Sequence, residues 1–288
     1  MIKPNFLCVG AQKAGTSSLF NILNQSKDVY FSEKKELHFF EKNDEFSKGE
    51  EYYLSNFEKR YNGQKLIGEI TPEYLFYSYV PSRILKTLGK IKILIILRNP
   101  IIRSYSQFNF HKMYQVEKIN ADFAIEIEKD PIITEVCSYE SWYYPNYYIS
   151  KSLYYHQVKR YIEVFGKENV YVGIFEEIFK KSETIIDPII EFLDIDQFEF
   201  ENVASNVSKV NHSNALFNSL GIVKRKVDSV IPQNLSMSIS NFIKDNLSKK
   251  PESLNIENII AYNKRFFNDD IKKLESLLDK DLSLWKTT

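Results

Sequence analysis

Four short apolar runs rich in β-branched residues stand out along the 288 residues: Phe6 to Val9, Leu66 to Ile70, Ile91 to Leu97 and Val170 to Phe175. They are continuously apolar rather than alternating, the habit of strands buried on both faces of a parallel sheet. Helical stretches separate them. Thr16 to about Gln25 follows the first run, and a stretch opened by Pro100 follows the third. Ser150 to Phe165 closes at Gly166 just before the fourth, and Asp187 to Leu193 comes after it. Glu257 to Leu278 carries Ile260, Phe266, Phe267, Ile271, Leu274 and Leu278 on one side, which predicts an amphipathic C-terminal helix within 251–288. The pattern predicts an α/β fold of three layers, a central and mainly parallel sheet flanked by helices, in a single domain over 1–288. Two stretches interrupt it. Residues 121–149, with Pro131, Pro145 and the cluster Trp142-Tyr143-Tyr144, read as a lid or substrate-groove insert, and 202–219 as a polar loop.

Charge and cysteine content narrow the classes. Lysine plus arginine equals aspartate plus glutamate at 38 each, so no net field marks a nucleic-acid binder and any anion site must be built locally. Cys8 lies in the first strand and Cys137 is remote, which supports no disulfide framework and fits a reducing compartment. No charged segment leads into a long apolar core and no run is long enough to span a bilayer, so a cytoplasmic location is expected. Four histidines and two cysteines are scattered without metal-ligand spacing, and no metal is expected. The 21 Phe and 19 Tyr residues suit either a groove for a flat or sugar-like ligand or an aromatic-rich core.

The candidate chemistry begins where the first strand ends. Gly10-Ala11-Gln12-Lys13-Ala14-Gly15-Thr16-Ser17-Ser18 is a short loop opening a helix, whose first backbone N–H groups attract an anion. Gly10 and Gly15 have the spacing of the nucleotide P-loop, but Thr16 stands where its lysine belongs, and the only lysine is inside the loop at Lys13. That argues against a metal-nucleotide hydrolase. Two readings stand at this point, an anion cradle and an ordinary strand–helix turn. Arg98 follows the third run and Ser106 lies about two turns into the next helix. Together they form a phosphate clamp, or Arg98 caps strands through a salt bridge. Glu33-Lys34-Lys35 reads as a solvated charge cluster, whereas Glu36 and His38, beside Phe39 and Phe40, are placed to stand over a site.

Taken together, these elements resemble the sulfotransferases that use 3′-phosphoadenosine 5′-phosphosulfate, nearest to the heparan-sulfate type. The loop resembles that family's 5′-phosphosulfate loop, Lys35-Glu36-Leu37-His38-Phe39-Phe40 the stretch bearing its catalytic glutamate, and Arg98 with Ser106 its 3′-phosphate site. Similarity extends through Gly68 to Tyr74, Ser152 to Tyr154 and Asp281 to Trp285. The resemblance implies sulfuryl transfer to an acceptor hydroxyl, on a saccharide or glycan, by in-line displacement without metal. Glu36 is then the general base and Lys13 the stabiliser of the leaving group, with His38 orienting Glu36 or touching the acceptor. Gln12, Lys13, Ala14, Gly15, Thr16, Ser17, Ser18, Arg98 and Ser106 would hold the nucleotide, which leaves as adenosine 3′,5′-bisphosphate. The competing class is a P-loop nucleotide kinase or phosphotransferase, with magnesium and ATP. Two departures from the family pattern are visible. Ile70 stands where a lysine is usual, and no late Lys-Gly-Arg loop is present, Ser208 to Ser213 lying in that region.

Overall fold

The computed structural model describes residues 2–113, 120, 122–134, 147–179, 183–201, 210–211, 248–249 and 254–287. Five strands form one sheet: β1 Phe6–Gly10, β2 Val29–Phe31, β3 Leu66–Ile70, β4 Lys92–Leu97 and β5 Val170–Ile174. They run parallel in the order β2-β3-β1-β4-β5. All four expected strands are present within a residue or so. β2 is the addition, because a three-residue Val-Tyr-Phe segment is too short to display a period. Every residue of β1 and β3, and Ile93 to Leu97 of β4, is buried, which is why these runs carry no polar alternation.

A parallel sheet delivers the carboxyl ends of its strands to one rim, the usual ligand edge of such folds. Gly10, Phe31, Ile70, Leu97 and Ile174 end there. The loop after β1, the Glu36 segment after β2 and Arg98 after β4 therefore meet at one edge. The loop helix is Thr16–Leu23, slightly shorter than expected. Helix Pro100–Met113 follows Arg98, and Tyr154–Phe165 enters through a short 3-10 turn at Ser150–Ser152. The described part of 121–149 includes a helix at Phe123–Ile127, with Phe123 and Ile127 buried. Trp142 to Tyr144, Cys137 and nearly all of 202–219 lie outside the described residues.

The C-terminal helix departs from expectation. It comprises Ile256–Tyr262 and Asn268–Leu278, joined by a π-turn at Asn263–Phe267. The extra residue of a π-turn rotates the preceding stripe by roughly 100°. Ile260 is accordingly 40% exposed, whereas Phe267, Ile271 and Leu274 are buried as expected. The turn places the Asn263 side chain inward, where its amide donates to Asn99 Oδ1 (3.1 Å) and to the Trp285 carbonyl (2.6 Å).

That contact ties the chain's end to the rim. Trp285 is fully buried and its indole N–H donates to Glu176 Oε2 at 3.1 Å. The other Glu176 oxygen accepts the Asn99 backbone N–H at 2.9 Å. The Tyr154 hydroxyl donates to the Arg98 carbonyl at 2.9 Å. The turn that aims Arg98 is thus fixed by a tail almost two hundred residues away. Trp285→Ala is expected to destabilise the fold by about 3–5 kcal/mol, read as a lower denaturant midpoint. Trp285→Phe, which keeps most of the packing but not the bond to Glu176, should lose less.

Candidate functional site

The loop after β1 is held open by backbone geometry. Gly15 has φ +90°, and a Cβ there would lie 2.7 Å from a Phe175 ring carbon and 2.9 Å from Phe179, so both the conformation and the space demand glycine. It begins the Thr16–Leu23 helix without a side-chain cap. Ala14 and Thr16 are buried, and Gln12, Lys13, Ser17 and Ser18 are half-buried along the mouth. Ala14 faces the core and can offer a ligand only its backbone.

Cations converge on this loop. Lys13, at φ +68°, places its ammonium 4.4 Å from the centre of the Phe110 ring. Arg98 stacks on Phe175 at 4.5 Å and donates to the Lys13 carbonyl at 3.3 Å. Arg103, fully buried, reaches the Gln12 carbonyl at 3.5 Å and is fastened by Ser152 Oγ (2.5 Å), Gln107 Oε1 (2.8 Å) and the Tyr148 carbonyl (2.7 Å). Burial and the neighbouring Arg98 and Arg103 charges push the Lys13 pKa down to about 8. Among the described residues, the buried Arg98 Nε and Gln12 Oε1 have no hydrogen-bond partner. Mutually repelling cations and an unpaired guanidinium N–H at a helix start fit an anionic ligand. Ser106 is half-buried in the helix that follows Arg98.

The Glu36 segment faces this loop from β2. Glu36 and His38 both adopt left-handed backbone, φ +60° and +54°. His38 Nε2 lies 3.9 Å from Glu36 Oε2, and its Nδ1 bonds the buried Glu41 carboxylate. Burial opposes the charged imidazole, but the Glu41 hydrogen bond and charge outweigh it and raise the His38 pKa. The imidazole is thus hydrogen-bonded to Glu41 and lies at ion-pair but not hydrogen-bond distance from Glu36. Lys35 is no bystander: it donates to Ser17 Oγ at 2.6 Å and pairs with Glu36 Oε1 at 3.4 Å. This corrects its assignment to a solvated cluster. Its partner Ser17 is remote in sequence, so spacing alone does not reveal the contact.

Glu41 and Glu69 are the buried carboxylates beside this segment that sequence pattern passes over. Glu69 is buried in β3, where Oε1 accepts the Tyr53 and Tyr74 hydroxyls (2.9 Å each). Its Oε2 accepts the Thr71 hydroxyl (2.8 Å) and the Leu37 backbone N–H (3.3 Å). Leu37 sits between the two left-handed residues, so this carboxylate pins the turn that carries Glu36 and His38 to the sheet. Burial raises the Glu69 pKa to about 7 against the pull of its donors. A carboxylate inside a continuous apolar run was the available signal, because such a group persists only when paired. Tyr74, by contrast, belongs to the core and not to a groove: it is fully buried and its hydroxyl serves Glu69. Ile70, 1% exposed, packs in the core. Lys151, in the turn before the Tyr154–Phe165 helix, is bound to both Glu73 oxygens (2.8 and 3.1 Å).

The chain matches the sulfotransferase domain model over residues 3–251, and it belongs to that family. Over 140 residues it is 32% identical to the membrane-associated sulfotransferase kil1 of Dictyostelium discoideum, covering 46% of this chain and 29% of that protein. Human heparan sulfate glucosamine 3-O-sulfotransferase 5 is 30% identical over 169 residues, 59% of this chain and 47% of that protein. The chain thus spans less than half the length of these relatives. A solved sulfotransferase from Alicyclobacillus acidocaldarius superposes with a TM-score of 0.69 at 26% identity, covering 99% of this chain and 100% of that one. Among the described residues, no helix is long and apolar enough to cross a membrane.

Two outcomes follow from the shifted groups. Lys13 loses its proton near pH 8, so affinity for adenosine 3′,5′-bisphosphate should fall as pH rises past about 8, and calorimetry should find the decline absent in Lys13→Arg. Glu69, with its folded pKa raised, withdraws stability as pH rises through about 7. Glu69→Gln, which can still accept from Leu37 while the two tyrosine hydroxyls rotate to accept its amide, should show a smaller drop in thermal midpoint between pH 5.5 and 8 than the parent. Glu69→Ala leaves four donors without their acceptor and should lower the midpoint at both pH values.

Proposed function

We propose that this chain transfers a sulfuryl group from 3′-phosphoadenosine 5′-phosphosulfate to an acceptor hydroxyl. The observation that carries the reading is the opposition of a cation-lined, glycine-bounded loop to the neighbouring side chains of Glu36, His38 and Glu41 across one rim. The loop amides, with Thr16, Ser17 and Ser18, hold the 5′-phosphate, and Arg98 and Ser106 hold the 3′-phosphate. Thr16, at the position of the P-loop lysine, favours this donor over a magnesium-bound triphosphate.

In the reaction Glu36 accepts the acceptor's proton as the acceptor oxygen bonds to sulfur. The bond from sulfur to the 5′-phosphate oxygen breaks, and the electron pair leaves with the nucleotide. Lys13 meets the charge that grows on that oxygen, a contact strongest in the transition state. His38, held by Glu41, fixes the Glu36 carboxylate in place. The heparan sulfate names of several relatives support a saccharide hydroxyl as acceptor.

A screen of oligosaccharides with radiolabelled donor tests the reading, and absence of transfer together with absence of bisphosphate binding would refute it. Glu36→Gln should keep bisphosphate affinity while turnover falls about 10²–10⁴-fold, the usual contribution of a general base.

A further inference from the structure

The Lys35 ammonium bridges the two halves of the site. It donates to Ser17 Oγ, in the helix start that faces the 5′-phosphate, and pairs with Glu36, the proposed base. Its side chain is about one-third exposed, at 33%, close to the 37% of Glu36, so both reach solvent. The Phe20 ring lies 5.7 Å from the ammonium and backs it from below. Lys35 is also near enough to Lys13 to help depress its pKa. Two ammonium groups therefore flank the space between nucleotide loop and base, one from the loop and one from the base-bearing segment.

Resting on the sulfuryl-transfer reading, we propose that Lys35 is a further catalytic residue, the cation that holds the oxygens of the sulfuryl group during its passage from nucleotide to acceptor. A group travelling from the Ser17 side to the Glu36 side crosses the ground that this ammonium spans. Lysine suits the task, because its three donors rotate on a flexible stem and follow a moving anion. The roles divide by position. Lys13 serves the oxygen that departs with the nucleotide, and Lys35 serves the three oxygens that stay on sulfur. Without donor, Lys35 neutralises Glu36; with donor bound, the sulfuryl oxygens compete for the ammonium and release the carboxylate to take a proton. The bonds made and broken are those given above, and no co-reactant is added.

The test compares two ligands that differ by the sulfuryl group. Affinities for adenosine 3′,5′-bisphosphate and for the intact donor are measured by calorimetry for the parent, Lys35→Met and Lys35→Arg. Release of radiolabelled sulfate from the donor to water reports the transfer step. Lys35→Met should bind the bisphosphate like the parent, bind the donor about tenfold more weakly, and release sulfate about 10²–10³-fold more slowly. Lys35→Arg should recover part of both losses. Equal weakening of both ligands would make Lys35 a strut for Ser17 and overturn the proposal, as would unchanged sulfate release. A parent that neither binds the bisphosphate nor releases sulfate would overturn the sulfuryl-transfer reading and this inference with it.

Discussion

The structure is organised around a repulsion. Arg98 and Arg103 lie within electrostatic reach of Lys13 in a mostly buried setting, and burial first, then these two charges, push the Lys13 pKa down. Like charges at such depth separate unless each is fastened. Arg103 is fastened by four acceptors on three segments, Arg98 by the Phe175 face and the Lys13 carbonyl, and Lys13 by the Phe110 face. Much of the surrounding framework, including the buried tail at Trp285, acts on these fastenings.

A second cost lies in the backbone. Six non-glycine residues among those described have positive φ, and Lys13, Glu36 and His38 are half of them. Each such residue costs about 1–2 kcal/mol, and three at one rim persist only where the surroundings dictate them. For the turn that carries Glu36 and His38 that support is Glu69. It receives the Leu37 N–H directly, while the Tyr74 hydroxyl that it binds also accepts the Phe39 N–H at 3.1 Å. The turn is fixed at alternate peptides, Leu37 and Phe39.

The parts of this arrangement legible in the sequence are those written in contiguous residues. The strands at Phe6, Leu66, Lys92 and Val170 announce themselves by unbroken burial, and Gly10 and Gly15 by their spacing around a lysine. The Glu36–His38 segment stood out by its residue types but not by its position, because β2, which carries it to the rim, is three residues long. Long-range pairing was not legible at all. Lys35 meets Ser17, Glu69 meets Tyr53 and Leu37, and Asn263 meets Asn99 only once the chain has folded. The π-turn escaped for a related reason. Its cause is the burial of Asn263 against Asn99 and the Trp285 carbonyl, and a helical stripe read from sequence assumes a constant 3.6-residue turn.

The two ends of the site differ in charge, and that difference bears on how each substrate of the proposed reaction is selected. At the loop the cations outnumber the carboxylates, which suits a donor carrying phosphates. Beyond His38 the balance is even. Ile70 contributes no charge, and Lys151 is bound by Glu73 with both side chains largely buried, 13% and 18% exposed. Glu73 lies close enough to act electrostatically on His38. His111, whose pKa burial and the Lys151 charge push down to about 4, is neutral there. A paired ammonium and carboxylate attract neither sign strongly but offer a donor and an acceptor side by side. In the proposed reaction, recognition at that end would therefore rest on hydrogen bonding and shape, and at the other on charge.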